Sequence, residues 1–130
     1  MPFAAPAVEV TDAWVAEMPP GAGVTAGYLV IHNPSRQAVT LLAVSTPQFH
    51  DVQLHLSEVR DGTAMMRVQA SIEIPGGGSL HLAPGGYHLM MSDPRSPLRS
   101  GDTVSLRLEF SDGSVVSAEA PVKRLSAGAR

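Results

Sequence analysis

Four of the five histidines and four of the six methionines in this chain fall between residues 50 and 91, and cysteine is absent. Any transition-metal chemistry must therefore come from imidazole, thioether and carboxylate. The segment Tyr87-His88-Leu89-Met90-Met91 has the composition of a strand. In a strand, residues two apart project from one face, so His88 and Met90 can chelate one ion together. The turn residues Pro84-Gly85-Gly86 just before it place the pair at the rim of the fold.

A second pair depends on a hairpin. Asp61-Gly62 between two strand-like runs is a two-residue turn signal. Counting outward from it, Arg60 faces Thr63 and His55 faces Val68. Met66 is then the diagonal neighbour of His55 on the same face, within reach of a long side chain. A three-residue loop would slip the register by one and send Met66 to the other face.

His55, Met66, His88 and Met90 form a soft, uncharged donor set. Mg²⁺ and Ca²⁺ want oxygen, and Zn²⁺ sites normally use Cys, His or carboxylate. Thioethers select copper(I), so the residues point to one copper(I) per chain, held without the grip of thiolate. Copper(II) is a second state the site could take if water or another His joined.

The same residue types can also merely pack. A lone strand Met usually fills gaps in a core, and that is the expectation for Met65 and Met91 on the opposite face. Met18, beside Pro19-Pro20, is expected to make a loop contact. His32, His50 and His81 are expected at the surface or hydrogen-bonded, with His50 near enough in sequence to be a spare ligand. The competing reading is a β-sandwich interaction module. A blue-copper electron-transfer site requires a Cys thiolate that this chain lacks.

The elements that would position the four residues are short strands. Twelve Gly and eleven Pro punctuate the sequence, with no sustained 3.6-residue apolar period. Strands are expected over Val8–Ala16, Thr25–His32, Val39–Ser45, Val52–Val59, Ala64–Ala70, Ser79–Leu82, Tyr87–Met91, Thr103–Phe110 and Val115–Ala120. In the eighth of these, Val104, Leu106, Leu108 and Phe110 alternate with Ser105, Arg107 and Glu109, the pattern of a sheet with one buried face. Nine such strands in 130 residues predict a two-sheet, Greek-key β-sandwich or barrel in one domain. The expected boundaries are a flexible segment at 1–7, a β domain at 8–122 and a loose tail at 123–130.

Composition removes other classes. With 44 % hydrophobic residues there is material for a core, and a net charge of −3 with scattered Lys and Arg argues against nucleic acid as a partner. No apolar run approaches a membrane span. Gly76-Gly77-Gly78 is followed by neither Lys-Ser nor Lys-Thr, so it is not a phosphate-binding loop. No Gly-x-Ser-x-Gly elbow is present.

The four residues resemble the signature of the PCuAC family of periplasmic copper chaperones: His, ten residues, Met, twenty-one residues, then His-x-Met. His55, Met66, His88 and Met90 keep every spacing. Where a Met often follows the first His, this chain has Leu56. The context is similar too, in Val52-Gln53-Leu54-His55, Met66-Arg67-Val68, Leu82-Ala83-Pro84-Gly85-Gly86-Tyr87 and Leu98-Arg99-Ser100-Gly101-Asp102, and the likeness runs over about residues 8–122. It implies a cupredoxin-like β-barrel that works outside the cytoplasm and carries copper(I); the chain itself is expected to be a monomer that breaks no bonds. It also implies an acceptor such as the dinuclear copper subunit of cytochrome c oxidase or a Sco-type thiol protein.

Overall fold

The computed structural model describes residues 8–18 and 21–124. The expected flexible segment 1–7 and residues 125–130 of the expected tail lie outside these. All ten elements among the described residues are strands: β1 Glu9–Ala16, β2 Val24–His32, β3 Val39–Ser45, β4 Phe49–Arg60, β5 Thr63–Gln69, β6 Ile72–Ile74, β7 Ser79–Leu82, β8 Tyr87–Pro94, β9 Thr103–Phe110 and β10 Val115–Lys123. They hydrogen-bond in the order β5-β4-β8-β7-β2-β1-β10-β9-β3-β6, with β8 also paired to β2. The sheet is open, ending on β5 and β6, and a parallel β1–β10 pairing joins its two halves.

One apolar cluster holds the halves together. Leu29, Ile31, Leu54, Leu89 and Met91 come from one half; Leu41, Val44, Val104, Leu106, Leu108 and Phe110 come from the other. Period-two alternation is what allows this, since each strand turns every second residue inward. In β9 the inward set Val104, Leu106, Leu108 and Phe110 is fully buried, as its spacing predicts. Gly27 on β2 permits a close approach: a methyl group there would come within 3.0 Å of Met91 Sδ and 3.4 Å of Leu89 Cδ1.

Three differences from the expected strands have physical reasons. The short β6 is bracketed by Ser71 and Pro75, leaving three residues whose single apolar-polar-apolar alternation is too short to mark a strand, yet Ile72 and Ile74 are buried and β6 pairs with β3. Strands β4 and β8 extend further than expected because they pair with each other from Phe49↔Pro94 to Leu56↔Tyr87. Strand β10 continues through Lys123, one residue into the expected tail, held by the Ala16↔Lys123 pairing and by Glu17 N–H donating to the Lys123 carbonyl at 2.9 Å. The Gly76–Gly78 run works as a backbone crossing. There the Gly77 N–H donates to the carbonyls of Asn33 and Ser35, and the buried Asn33 amide donates to Gln37, Ile74 and Pro75.

The Asp61-Gly62 turn is two residues long, with Arg60 paired to Thr63. Both turn residues have positive φ, 50° and 78°, as a type I′ hairpin requires. Gly62→Val would force a branched side chain into that region and is expected to lower stability by about 1 kcal/mol or more. A thermal melt against wild type measures it, and an unchanged midpoint would refute the strain.

Candidate metal centre

The hairpin register places His55 opposite Val68 and Ser57 opposite Met66. On the other side of β4, His55 is directly opposite His88 and Gln53 opposite Met90. Pleat parity then puts Gln53, His55, Ser57, Met66, His88 and Met90 on one face of the β5-β4-β8 ribbon. It is the outer face, because the intervening Leu54, Leu89 and Met91 point into the core. The four predicted residues therefore share one face of three adjacent strands. Further along the same face, Met90 is paired to Ala26, and Tyr28 packs on Trp14 with ring centroids 4.8 Å apart. A bulge in β1 between Thr11 and Trp14, with Asp12 at φ 55°, aims Trp14 to that side.

The two imidazoles face each other with centroids 5.6 Å apart and planes tilted by 51°. Each is fixed through one ring nitrogen. His88 Nδ1–H donates to the Gly86 carbonyl at 3.0 Å, and that carbonyl also accepts the Ser57 N–H at 3.1 Å. His55 Nε2–H donates to Gln53 Oε1 at 2.9 Å. His55 Nδ1 is buried with no hydrogen-bond partner, the sole such side-chain nitrogen or oxygen found among the described residues. A buried lone pair without a donor costs free energy unless something electrophilic meets it. Burial, then the neighbouring His88, hold the His55 imidazole below the ordinary histidine range, and Asp51 opposes them.

Exposure is graded across the set. His88 is 5 % exposed, His55 and Met90 are half-buried, and Met66 on the edge strand is 54 % exposed. Among the described residues no three His, Asp or Glu side chains cluster closely enough to hold a metal.

The remaining histidines and methionines are elsewhere. His32 bonds Ser79 Oγ at 2.8 Å, His50 sits 3.9 Å from Asp93, and His81 is exposed. Met91 is fully buried and Met18 packs on the core. Met65 corrects an expectation: it is 46 % exposed rather than core, on an edge strand whose residues from Thr63 to Val68 are all exposed. Gln53 and the Gly86 carbonyl are the parts that reading the ligand types missed. Both lie two residues before a predicted ligand, the same-face spacing that could have found them.

A profile of the LpqE-like family matches residues 8–122. A protein of Leifsonia xyli subsp. xyli, named "Putative lipoprotein Lxx21020", is 34 % identical over 120 residues, covering 92 % of this chain and 71 % of its own length. The chain belongs to the LpqE-like family, which is the PCuAC family. The solution structure of CuI-DR1885 from Deinococcus radiodurans superposes with a TM-score of 0.74 at 32 % identity, covering 94 % of this chain and 81 % of that one. The copper-bound PCuAC domain from PmoF2 superposes with a TM-score of 0.78 at 20 % identity, covering 94 % and 97 %. These likenesses make the fold of this PCuAC-family chain cupredoxin-like, in line with the expected Greek-key β architecture.

Proposed function

We propose that this protein is a copper(I) carrier that holds one ion at His55, Met66, His88 and Met90 and passes it to an acceptor protein outside the cytoplasm. The observation that carries the reading is the unpartnered, buried Nδ1 of His55 facing a second imidazole on the adjacent strand. Two imidazoles and two thioethers without charge suit copper(I) better than any hard cation. The copper(I)-bound state of the 32 % identical DR1885 supports the same cargo. The naming of relatives as lipoproteins supports a place outside the cytoplasm. Among the described residues no helix is long and apolar enough to cross a membrane.

The acceptor we favour presents thiolates, as a Sco-type protein or the dinuclear copper subunit of cytochrome c oxidase would. Transfer from thioether and imidazole to thiolate runs toward the softer, charged ligand. The exposed Met66 would be the first donor an incoming ligand could displace, and the buried His88 the last. No bond in any substrate is broken in this scheme, which makes the chain a carrier rather than an enzyme.

Titration with copper(I) under reducing conditions, against a colorimetric chelator, tests the reading. One equivalent should be withdrawn from the chelator, and no withdrawal would sink it. The pH profile follows from His55. Its folded pKa lies below the unfolded value of about 6.5, so at neutral pH the ring is uncharged and ready to ligate. The stability linked to that shift is fully present above about pH 6.5 and is lost as pH falls through the folded value. Copper affinity is expected to hold between pH 8 and about 6.5 and to fall below that as imidazole protonates. An affinity unchanged down to about pH 5 would contradict imidazole ligation.

A further inference from the structure

We infer that Gln53 is a positioning residue that fixes which nitrogen of His55 meets the ion, so that His55 ligates through Nδ1 while His88 ligates through Nε2. The inference deepens the carrier reading above and rests on it for the identity of the cargo. An uncharged imidazole has one N–H and one lone pair, and the partner of the N–H determines where the lone pair lies. Gln53 Oε1 can only accept, so the His55 proton sits on Nε2 at 2.9 Å from it. The lone pair is left on Nδ1, the atom that is buried without a partner. At His88 the assignment is reversed. The Gly86 carbonyl can only accept, so the proton sits on Nδ1 at 3.0 Å and the lone pair on Nε2.

The two anchors differ in kind. Gly86 O belongs to the backbone and is itself fixed by the Ser57 N–H, so no side-chain substitution removes it. Gln53 is an exposed side chain whose backbone faces Met90 across the β4–β8 pair. It lies on the same face as His55 and two residues from it, which lets a three-atom amide arm span to the ring edge. This hydrogen bond is therefore the adjustable part of the centre. Partners of this type orient ligating histidines and raise their basicity, and removing one typically weakens metal binding by about 10–100-fold.

The apo protein carries the first test, independent of copper. Long-range ¹H–¹⁵N correlation spectra near pH 8 report the tautomer of each ring directly. His55 should be the Nε2–H form and His88 the Nδ1–H form; a His55 ring found as Nδ1–H overturns the inference. The second test uses Gln53→Leu, which removes the acceptor, and Gln53→Glu, which keeps one. In Q53L the His55 resonances should move toward a mixture of tautomers, and copper(I) affinity should fall by about 10-fold or more. In Q53E the Nε2–H form and the affinity should both return to at least the wild-type level. Backbone amide spectra of each variant confirm that the strands are unchanged. Unaltered tautomer and affinity in Q53L would refute the role of Gln53. A correct tautomer pattern in a protein that takes up no copper(I) would refute the carrier reading and leave the hydrogen-bond assignment standing.

Discussion

The double variant His88→Ala/Met90→Ala is expected to lose copper(I) binding to the point that it no longer competes with a colorimetric chelator. Both side chains project from one strand to the outer face, and they supply half of the proposed donor set. The two proposed ligands left behind, His55 on β4 and Met66 on β5, lose the buried imidazole that faces His55. A fall of at least about 100-fold is expected, equal to about 2.7 kcal/mol. His88 is packed, so the variant also gives up about 1–3 kcal/mol of stability. That is less than the whole stability of an ordinary domain, about 5–15 kcal/mol. The measurement pairs chelator competition with a thermal melt. Copper held at wild-type affinity in a folded double variant would remove these residues from the site.

Leu89→Ala, one residue from each of those ligands, should do the reverse. Leu89 is fully buried, and its Cδ1 lies against Gly27 on the neighbouring strand. Truncation deletes apolar contact and leaves a cavity that two paired strands cannot close, at a cost of about 2–5 kcal/mol. For a domain of this size that is a drop in melting temperature of roughly 10–20 °C. Below the new midpoint, copper(I) affinity should stay within a few-fold of wild type, because the outer face is untouched. A melt within about 1 °C of wild type would contradict the packing.

Most of the strand geometry behind the proposed site is legible in the sequence. The spacing from His88 to Met90 needs only strand parity. The relation of Met66 to His55 needs only the length of the Asp61-Gly62 turn, and the observed register has the expected pairing of His55 with Val68. What stayed hidden depends on contacts between segments far apart in sequence. The exposure of Met65 follows from β5 being the sheet edge, and the strand order decides that, not the apolar pattern of the segment itself. The direct pairing of His55 with His88 is likewise a property of the β4–β8 ladder, which joins residues with no turn between them to count from. Gln53 is not marked by residue type, because an amide is no metal ligand of note, although its two-residue spacing to His55 is plain in the sequence.

Leu54 and His55, then His88, Leu89, Met90 and Met91, alternate between the two sides of one strand pair, so cargo and cohesion occupy opposite surfaces of the same backbone. A zinc finger unfolds when its metal leaves, since the binding energy of the ion is what folds it. Here the hydrocarbon layer is built from side chains other than the four proposed ligands. Were the chain to carry copper as proposed, giving up the ion would leave that layer's contacts in place.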